Sequence, residues 1–126
     1  MESIFPWLRG RLDRVGVLLS CLCLIHCLAG LVLVAGMGAG ASFLLDPSIH
    51  KVGLLLATVI AAAAIGLGAV RQRRIAPFAV ALVGLCFMMG AVLAGHGFPE
   101  AALTMIGVVL VATGHILNLR LNLRKH

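Results

Sequence analysis

The chain has 126 residues and a net charge of +6, and 62% of its residues are hydrophobic against 11% that are charged. This composition excludes a soluble domain of this size, and the length indicates a single domain over residues 1–126. Between the charged segments lie four uncharged stretches, each able to hold the roughly 20 apolar residues that cross a bilayer as a helix. The sequence therefore predicts an all-α membrane protein, a bundle of four transmembrane helices over about residues 15–35, 49–70, 76–96 and 100–119.

Positive charge is concentrated on one face of the predicted bundle. Nine of the ten Lys and Arg residues precede the first span, join the second to the third or follow the fourth: Arg9, Arg11, Arg14, Arg71, Arg73, Arg74, Arg120, Arg124 and Lys125. Only Lys51 lies on the other side. The positive-inside rule then predicts that both termini are cytoplasmic. The same distribution assigns the basic residues to the lipid bilayer rather than to nucleic acid.

The segment before the first span is itself amphipathic. Its apolar residues, from Ile4 to Val15, recur at helical spacing, and with Trp7 they predict a short interfacial helix that leads into the membrane. The apolar run that begins at Val15 is longer than the apolar core of a signal peptide, so we expect the first span to be retained. Asp46 before a proline, and Glu100 after one, predict the starts of the second and fourth spans.

The first span carries cysteine, histidine and serine in an otherwise apolar sequence, SCLCLIHC. Ser20, Cys23 and Cys27 recur at i, i+3 and i+7, which places them on one face of a helix. His26 flanks this stripe, whereas Cys21 points away. Counted from Val15, the group lies near the middle of the membrane, where an imidazole without a partner is costly. We predict that Cys23, His26 and Cys27 are metal ligands; the alternative is that the cysteines are small core residues.

The fourth span contains a second polar stripe. One helical face carries Thr104, His115, Asn118 and Asn122. These residues form either an ordinary hydrogen-bonded seam between helices or part of a functional site. In the second interpretation, His115 is a metal ligand near the cytoplasmic side or a relay for the departing ion.

Two further histidines lie near helix ends on the predicted outer side. His50 is in the first turn of the second span and His96 is at the end of the third, at similar depth. They are either separate interfacial polar groups or, together, an outer point of metal capture. A different alternative is that His50 and His96 hold a haem, which would make the protein a membrane electron carrier.

Cysteine suits a metal site in a membrane because of charge. A bare divalent cation in hydrocarbon costs on the order of tens of kcal/mol, and two thiolates cancel its charge. Sulfur and imidazole select thiophilic ions, here Hg(II), Cu(I) or Zn(II), as a ligand or substrate rather than a tightly bound cofactor. No carboxylate lies in the interior of the predicted spans, since Glu100 only opens the fourth, and this argues against proton-coupled exchange. No nucleophile–base pair or phosphate-binding loop indicates an enzyme.

Two segments carry a family resemblance: DRVGVLLSCLCLIHCLAG in the first span and GHILNLRLNLR at the end of the fourth. Together with the length and the four-helix layout, they resemble the MerC family of mercury-resistance membrane proteins. The resemblance implies a bacterial inner-membrane protein that takes up mercuric ions and passes them to the cytoplasm through cysteines of the first helix. The matching residues here are Cys23 and Cys27, and His26 is shared with the chromosomally encoded relatives.

The sequence also departs from the mercury transporters of that family. Their first helix has a Cys-x-x-Cys pair, whereas this chain has Cys-x-x-His-Cys and Cys-x-Cys, and it lacks their further cysteine pair near the cytoplasmic end. Hg(II) is thus the substrate implied by resemblance, with a cytoplasmic thiol or metal acceptor as a partner and a homo-oligomer left open. A third interpretation is a structural partner subunit whose histidines only bridge helices.

Overall fold

The computed structural model describes residues 4–37, 46–95 and 97–124. Its helices, in chain order, are α1 (Ile4–Met37), α2 (Pro47–Ala61), α3 (Leu67–Gln72), α4 (Ile75–Ala94) and α5 (Phe98–Leu123), with a π-helical turn (Ala62–Gly66) that joins α2 to α3. No strand occurs among the described residues, so the predicted all-α class is confirmed.

Within the described residues, four helical stretches are long and apolar enough to cross a membrane. They are Trp7–Met37, Ser48–Arg71, Ile75–Ala94 and Phe98–Leu123, close to the four predicted spans. Large apolar side chains cover the outside of the bundle; Leu93, for example, is 79% exposed and Val59 is 58% exposed. Such a surface is favourable in lipid and not in water, so the chain is a multi-pass membrane protein.

The first helix is longer than a membrane is thick. The 34 residues of α1 rise about 50 Å, against about 30 Å of hydrocarbon. The predicted interfacial segment is therefore the N-terminal part of α1 rather than a separate helix. Its aromatic rings lie next to arginines: the guanidinium carbon of Arg11 is 4.2 Å from the ring centroid of Trp7, and that of Arg71 is 5.0 Å from the ring centroid of Phe5. Such cation–π contacts suit the membrane interface.

The most extensive helix contact in the bundle is between α4 and α5. Glycines set their separation, because a Cβ atom on Gly107 would lie 2.6 Å from the carbonyl oxygen of Gly84. One on Gly114 would lie 2.9 Å from the Cβ of Ala81. In lipid, where no hydrophobic force drives helices together, small residues let two backbones approach this closely. α1 also packs mainly against α5, so α5 is the central helix.

The two ends of the bundle differ in charge. The basic end contains the N-terminal part of α1, the turn between α3 and α4 and the C-terminal part of α5, with arginines that include Arg9, Arg74 and Arg120. The opposite end contains the starts of α2 and α5. There Asp46 caps α2, its carboxylate accepting a hydrogen bond from the backbone N–H of Ser48 at 2.8 Å, as predicted.

Candidate metal-binding site

A thiol, an imidazole and a carboxylate from three helices meet at the opposite end of the bundle. Cys27 on α1 places Sγ 3.6 Å from Nε2 of His50 on α2. The other ring nitrogen, Nδ1, lies 3.4 Å from Oε1 of Glu100 in the first turn of α5, at ion-pair distance but outside hydrogen-bond geometry. All three side chains are buried, and Cys27 is only 1% exposed. His50 therefore stands between an acid and a thiol.

Two more of the predicted ligands border this group. Cys23 and Cys27 are one helical turn apart on α1, which places both thiols on the same face of the helix. The ring of His26 meets that of His50 edge-on, with 6.3 Å between the ring centroids. The sequence predicts His50 at a separate outer level, whereas the structure places it in one cluster with the three α1 residues. We call these four side chains the thiol cluster.

The thiol cluster is a set of neighbouring donor groups rather than a closed coordination shell. In the part of the chain that the structure describes, no group of three or more His, Cys, Asp or Glu side chains is arranged to hold a metal ion. The neighbouring thiols of Cys23 and Cys27 have the chemistry of a soft ligand set. An imidazole beside a thiol can take its proton, and the thiolate is the form that binds metal.

The thiol cluster lies nearer to the opposite end than to the middle of the bundle. Counting from Val15 predicts a mid-membrane position, but Cys27 is level with the first turns of α2 and α5, where His50 and Glu100 lie. The reason is that α1 enters the bundle before Val15, since Asp13 is already fully buried. The structure thus moves the site towards the end that the sequence predicts to face outwards.

A cavity of about 470 Å³ adjoins the thiol cluster. Most of its lining is apolar, and its polar lining consists of Ser20, Cys23, His26, His50, Thr104 and His115. Along α1 the lining extends from Gly16 to His26, which is about 15 Å of helix. The cavity therefore connects the thiol cluster with a second polar group near the basic end.

In this second group, Asp13 on α1 is bound by two side chains of α5. Nδ1 of His115 lies 2.8 Å from Oδ1 of Asp13, and Nδ2 of Asn118 donates to Oδ2, also at 2.8 Å. The same amide donates to the carbonyl oxygen of Ala64 in the π-helical turn, at 3.4 Å. Turns of this π-helical kind are often found at functional sites. His115 and Asn118 thus form a hydrogen-bonded seam between helices, as one interpretation of the sequence predicts.

Two buried arginines accompany the carboxylate of Asp13. Arg74, in the turn between α3 and α4, donates from Nη2 to the carbonyl oxygen of Leu121 at 3.0 Å. Burial lowers the pKa of Arg74, the charge of Arg9 lowers it further, and the carboxylate of Asp13 opposes both effects. The guanidinium of Arg9 lies against Gly68, where a Cβ atom would be 2.6 Å from Nη2. These contacts tie α1, α3 and α5 together at the basic end.

The remaining cysteines lie apart from the thiol cluster. Cys21 and Cys86 are exposed on the outside of the bundle, in agreement with the prediction that Cys21 points away. His96 lies outside the described residues, so the outer pair of His50 and His96 stays a prediction. The haem alternative gains no support, because His50 is engaged by a thiol and a carboxylate.

Two buried carboxylates contradict one sequence prediction. Asp13 lies within the α1 span and Glu100 within the α5 span, so the prediction that the interior of the spans contains no carboxylate is wrong. Each had a signal in the sequence. Asp13 continues the polar stripe of α1 towards the N-terminus by way of Gly16, and Glu100 lies four residues before Thr104 on the stripe of α5.

A protein-family model matches most of the chain. The family model described as MerC mercury resistance protein matches residues 13–120. The matched segment begins at Asp13 and contains both polar groups and the cavity between them. No curated protein and no solved structure matches the chain.

Proposed function

The chain belongs to the MerC family of mercury resistance proteins, and from this premise we propose that it carries mercuric ion across the bacterial inner membrane. The thiols of Cys23 and Cys27 bind the ion, and the cavity beside them is its route towards the basic end. That end faces the cytoplasm, where a thiol or another metal acceptor takes up the ion. The function is transport, without chemical conversion of the ion.

The observation that carries this proposal is a pair of thiols one helical turn apart, one of them fully buried and the other lining a cavity, in a membrane bundle. Hg(II) forms two-coordinate complexes with a pair of thiolates, so Cys23 and Cys27 satisfy it without a third ligand. The two thiolates cancel its charge, and a neutral complex avoids a cost on the order of tens of kcal/mol in hydrocarbon. Cu(I) and Zn(II) share the preference for sulfur and belong in the same measurements as competitors.

His50 and Glu100 support capture of the ion. Thiolates are the form that binds metal, so binding releases thiol protons. Nε2 of His50, 3.6 Å from Sγ of Cys27, is positioned to accept one, and the carboxylate of Glu100, 3.4 Å from Nδ1, stabilises the positive charge that results. The ring of His26, edge-on to that of His50, supplies a further imidazole ligand.

The charge distribution supports the direction of transport. Positive residues favour the cytoplasmic side, and the basic end contains Arg9, Arg74 and Arg120. The thiol cluster then lies towards the outside, where the ion enters. His96 is the proposed outer partner of His50 in capture.

The test is mercury binding by the detergent-purified protein and mercury uptake into proteoliposomes. We expect the wild-type chain to show the ultraviolet absorption of a thiolate–mercury complex, and the C23S/C27S variant to lose both this absorption and uptake. The expected loss of affinity is at least about a hundredfold, because removal of even outer-shell partners of a metal costs about 10- to 100-fold. Cu(I) and Zn(II) are added in competition to rank the three ions.

The matched control is C21S/C86S, which removes the two exposed thiols and leaves the pair intact. It should bind and take up mercuric ion as the wild type does. Binding that survives in C23S/C27S but disappears in C21S/C86S would contradict the assigned site. Binding by the wild type without any uptake would contradict transport.

A further inference from the structure

His115 has one ring nitrogen that is bound and one without a partner. Nδ1 is 2.8 Å from one carboxylate oxygen of Asp13, and the other oxygen accepts a hydrogen from Asn118. A carboxylate only accepts, so Nδ1 carries the hydrogen, and the lone pair of the neutral imidazole is on Nε2. Nε2 is buried and has no hydrogen-bond partner among the described residues.

The imidazole that carries the unpartnered nitrogen lies at the basic end of the cavity, which His115 and Gly16 both line. The imidazole occupies the space that a side chain at position 16 would take, because a Cβ atom on Gly16 would be 2.5 Å from Nε2. The absence of that side chain lets the ring lie directly against α1. His115 is therefore held at the cavity from both sides, by the carboxylate of Asp13 and by the backbone of α1.

This arrangement is the one with which proteins orient a metal-binding histidine. Such a histidine almost always donates its other ring N–H to a carboxylate or carbonyl, which fixes the ring and leaves the opposite nitrogen for the metal. Asp13 is that carboxylate here, and Asn118 fixes it in turn. A buried nitrogen without a partner is rare in proteins and calls for an explanation, which a ligand in the cavity would supply.

We propose that Nε2 of His115 is a second metal-ion position at the basic end of the cavity, occupied by the ion after it has left the thiol pair. The proposal rests on the proposed transport of mercuric ion and adds an exit position to it. Gly16, against which the ring lies, precedes Cys23 by seven residues, about 10 Å along α1. The two positions are therefore separate, and the ion moves between them through the cavity.

A nitrogen ligand suits an exit position because it holds a soft ion less tightly than sulfur does. Conduction needs positions that are favourable enough to enter and weak enough to leave. In the transfer, the two bonds between mercury and sulfur break, and each sulfur keeps its electron pair. One thiolate regains its proton from Nε2 of His50, and the other takes a proton from a water molecule whose hydroxide stays on the mercury. A bond from mercury to Nε2 of His115 forms. The acceptor thiol in the cytoplasm then binds the ion more tightly than His115 and draws it out.

Two substitutions of His115 distinguish a ligand from a structural residue. In H115N the amide nitrogen takes the place of Nδ1 and keeps the hydrogen bond to Asp13, but no atom replaces Nε2. In H115M the hydrogen bond is lost, while a thioether is present, a neutral soft ligand that binds the ion more weakly than a thiolate does. We expect H115N to bind mercuric ion at the thiol pair as the wild type does, but to take it up into glutathione-loaded proteoliposomes about tenfold more slowly. H115M should stay within about twofold of the wild-type rate.

A chain in which all four cysteines are replaced by serine, and His26, His50 and His96 by asparagine, isolates the second position, because His115 is then the one proposed metal ligand left. Titration calorimetry with mercuric nitrate should detect one weakly bound ion per chain. The H115N substitution in this background should abolish the binding. This measurement decides the matter even where the uptake of a single variant is limited by its folding.

Three outcomes would overturn the exit position. They are wild-type uptake by H115N, slower uptake by H115M than by H115N, and binding that survives H115N in the cysteine-free chain. The second outcome would identify His115 as a structural residue, whose hydrogen bond asparagine preserves. Failure of the proposed function looks different, because the wild-type chain itself would then take up no mercuric ion.

Discussion

Two histidines of this bundle are each supported by a carboxylate. His50 lies beside Glu100 at the opposite end, and His115 is hydrogen-bonded to Asp13 near the basic end. Ionisable groups inside a membrane are costly without partners, and an acid next to an imidazole gives each a partner. The second ring nitrogens differ, because Nε2 of His50 meets the thiol of Cys27, whereas Nε2 of His115 meets no partner within the described part of the chain. The two ends of the cavity thus share one kind of support and offer different ligands.

Replacement of Gly16 by alanine tests whether a missing side chain sets the position of His115. The added Cβ would be 2.5 Å from Nε2, so either the ring or α1 must shift. Overpacking of this kind costs about 1–3 kcal/mol, more than the gain of up to about 1 kcal/mol from removing a helical glycine. We expect G16A to lower the free energy of unfolding in detergent by about 1–2 kcal/mol and to slow mercury uptake in the same direction as H115N.

Gly36→Ala is the control for this substitution. Gly36 is on the same helix, and nothing lies within 4 Å of a Cβ atom built there. G36A should leave the unfolding free energy unchanged or raise it by less than about 1 kcal/mol. Equal unfolding curves for G16A and G36A would mean that Gly16 does not confine the imidazole.

The residues of the thiol cluster are only partly predictable from sequence. Helical spacing places Cys23 and Cys27 on one face and Cys21 on another, and the structure agrees. Spacing along α1 does not identify the partner of Cys27, because His50 lies on α2 and a helical period says nothing about which helices are neighbours. The burial of Asp13 was hard to predict for a related reason. Its neighbours in sequence are arginines, which suggests a solvated segment, although Asp13 lies on the polar face of α1.

Among the elements, α5 has the largest part in the site. Its buried face carries Glu100, Thr104, His115, Asn118 and Asn122. The same helix therefore supplies a polar side chain to both ends of the cavity. Its glycines pack against α4, and the side chain of Met88, which lines the cavity, lies over Gly107. The distance between α4 and α5 thus determines one wall of the cavity.

Gly107→Ala should separate these two helices. A Cβ atom there would be 2.6 Å from the carbonyl oxygen of Gly84 and 2.6 Å from Cγ of Met88, and a backbone oxygen cannot move without moving its helix. We expect G107A to lower the free energy of unfolding by about 1–3 kcal/mol, measured by circular dichroism in detergent. Gly90→Ala, on α4 with nothing within 4 Å of the new Cβ, is the control and should lose nothing. A G107A protein as stable as G90A would mean that the glycine contact does not set the packing.

The existence of the four spans was easier to predict from the sequence than the exact helix bounds and the backbone geometry. Gaps between charged residues locate the four spans, because charge is costly in lipid whatever the tertiary structure. The same gaps mark where lipid contact begins and not where a helix begins, which is why α1 extends back to Ile4. The alanine-rich run at residues 61–66 predicts close packing. Its π-helical turn arises because the backbone hydrogen bonds there join residues five apart instead of four, and the composition does not predict that change.

The molecule as a whole has an asymmetry on which the proposed direction of transport depends. The thiol cluster lies towards one end and the arginines lie at the other, with the cavity between them. In the proposed pathway, a soft cation captured by sulfur at the first end passes His115 before it reaches the second. This order of ligands moves ions inwards only if the basic end faces the cytoplasm.

Orientation is therefore the prediction on which the direction of transport depends. Nine of the ten Lys and Arg residues lie on the side of the basic end, with Lys51 on the other, and such a bias directs that side to the cytoplasm. Green fluorescent protein fused after His126 should fluoresce in cells, whereas alkaline phosphatase at the same position should be inactive, because each reporter works on only one side of the inner membrane. The same two reporters, inserted instead in the segment between α1 and α2, should give the reverse result. Phosphatase activity at the C-terminus would place the thiols on the cytoplasmic side, and the same sequence of ligands would then export the ion instead of importing it.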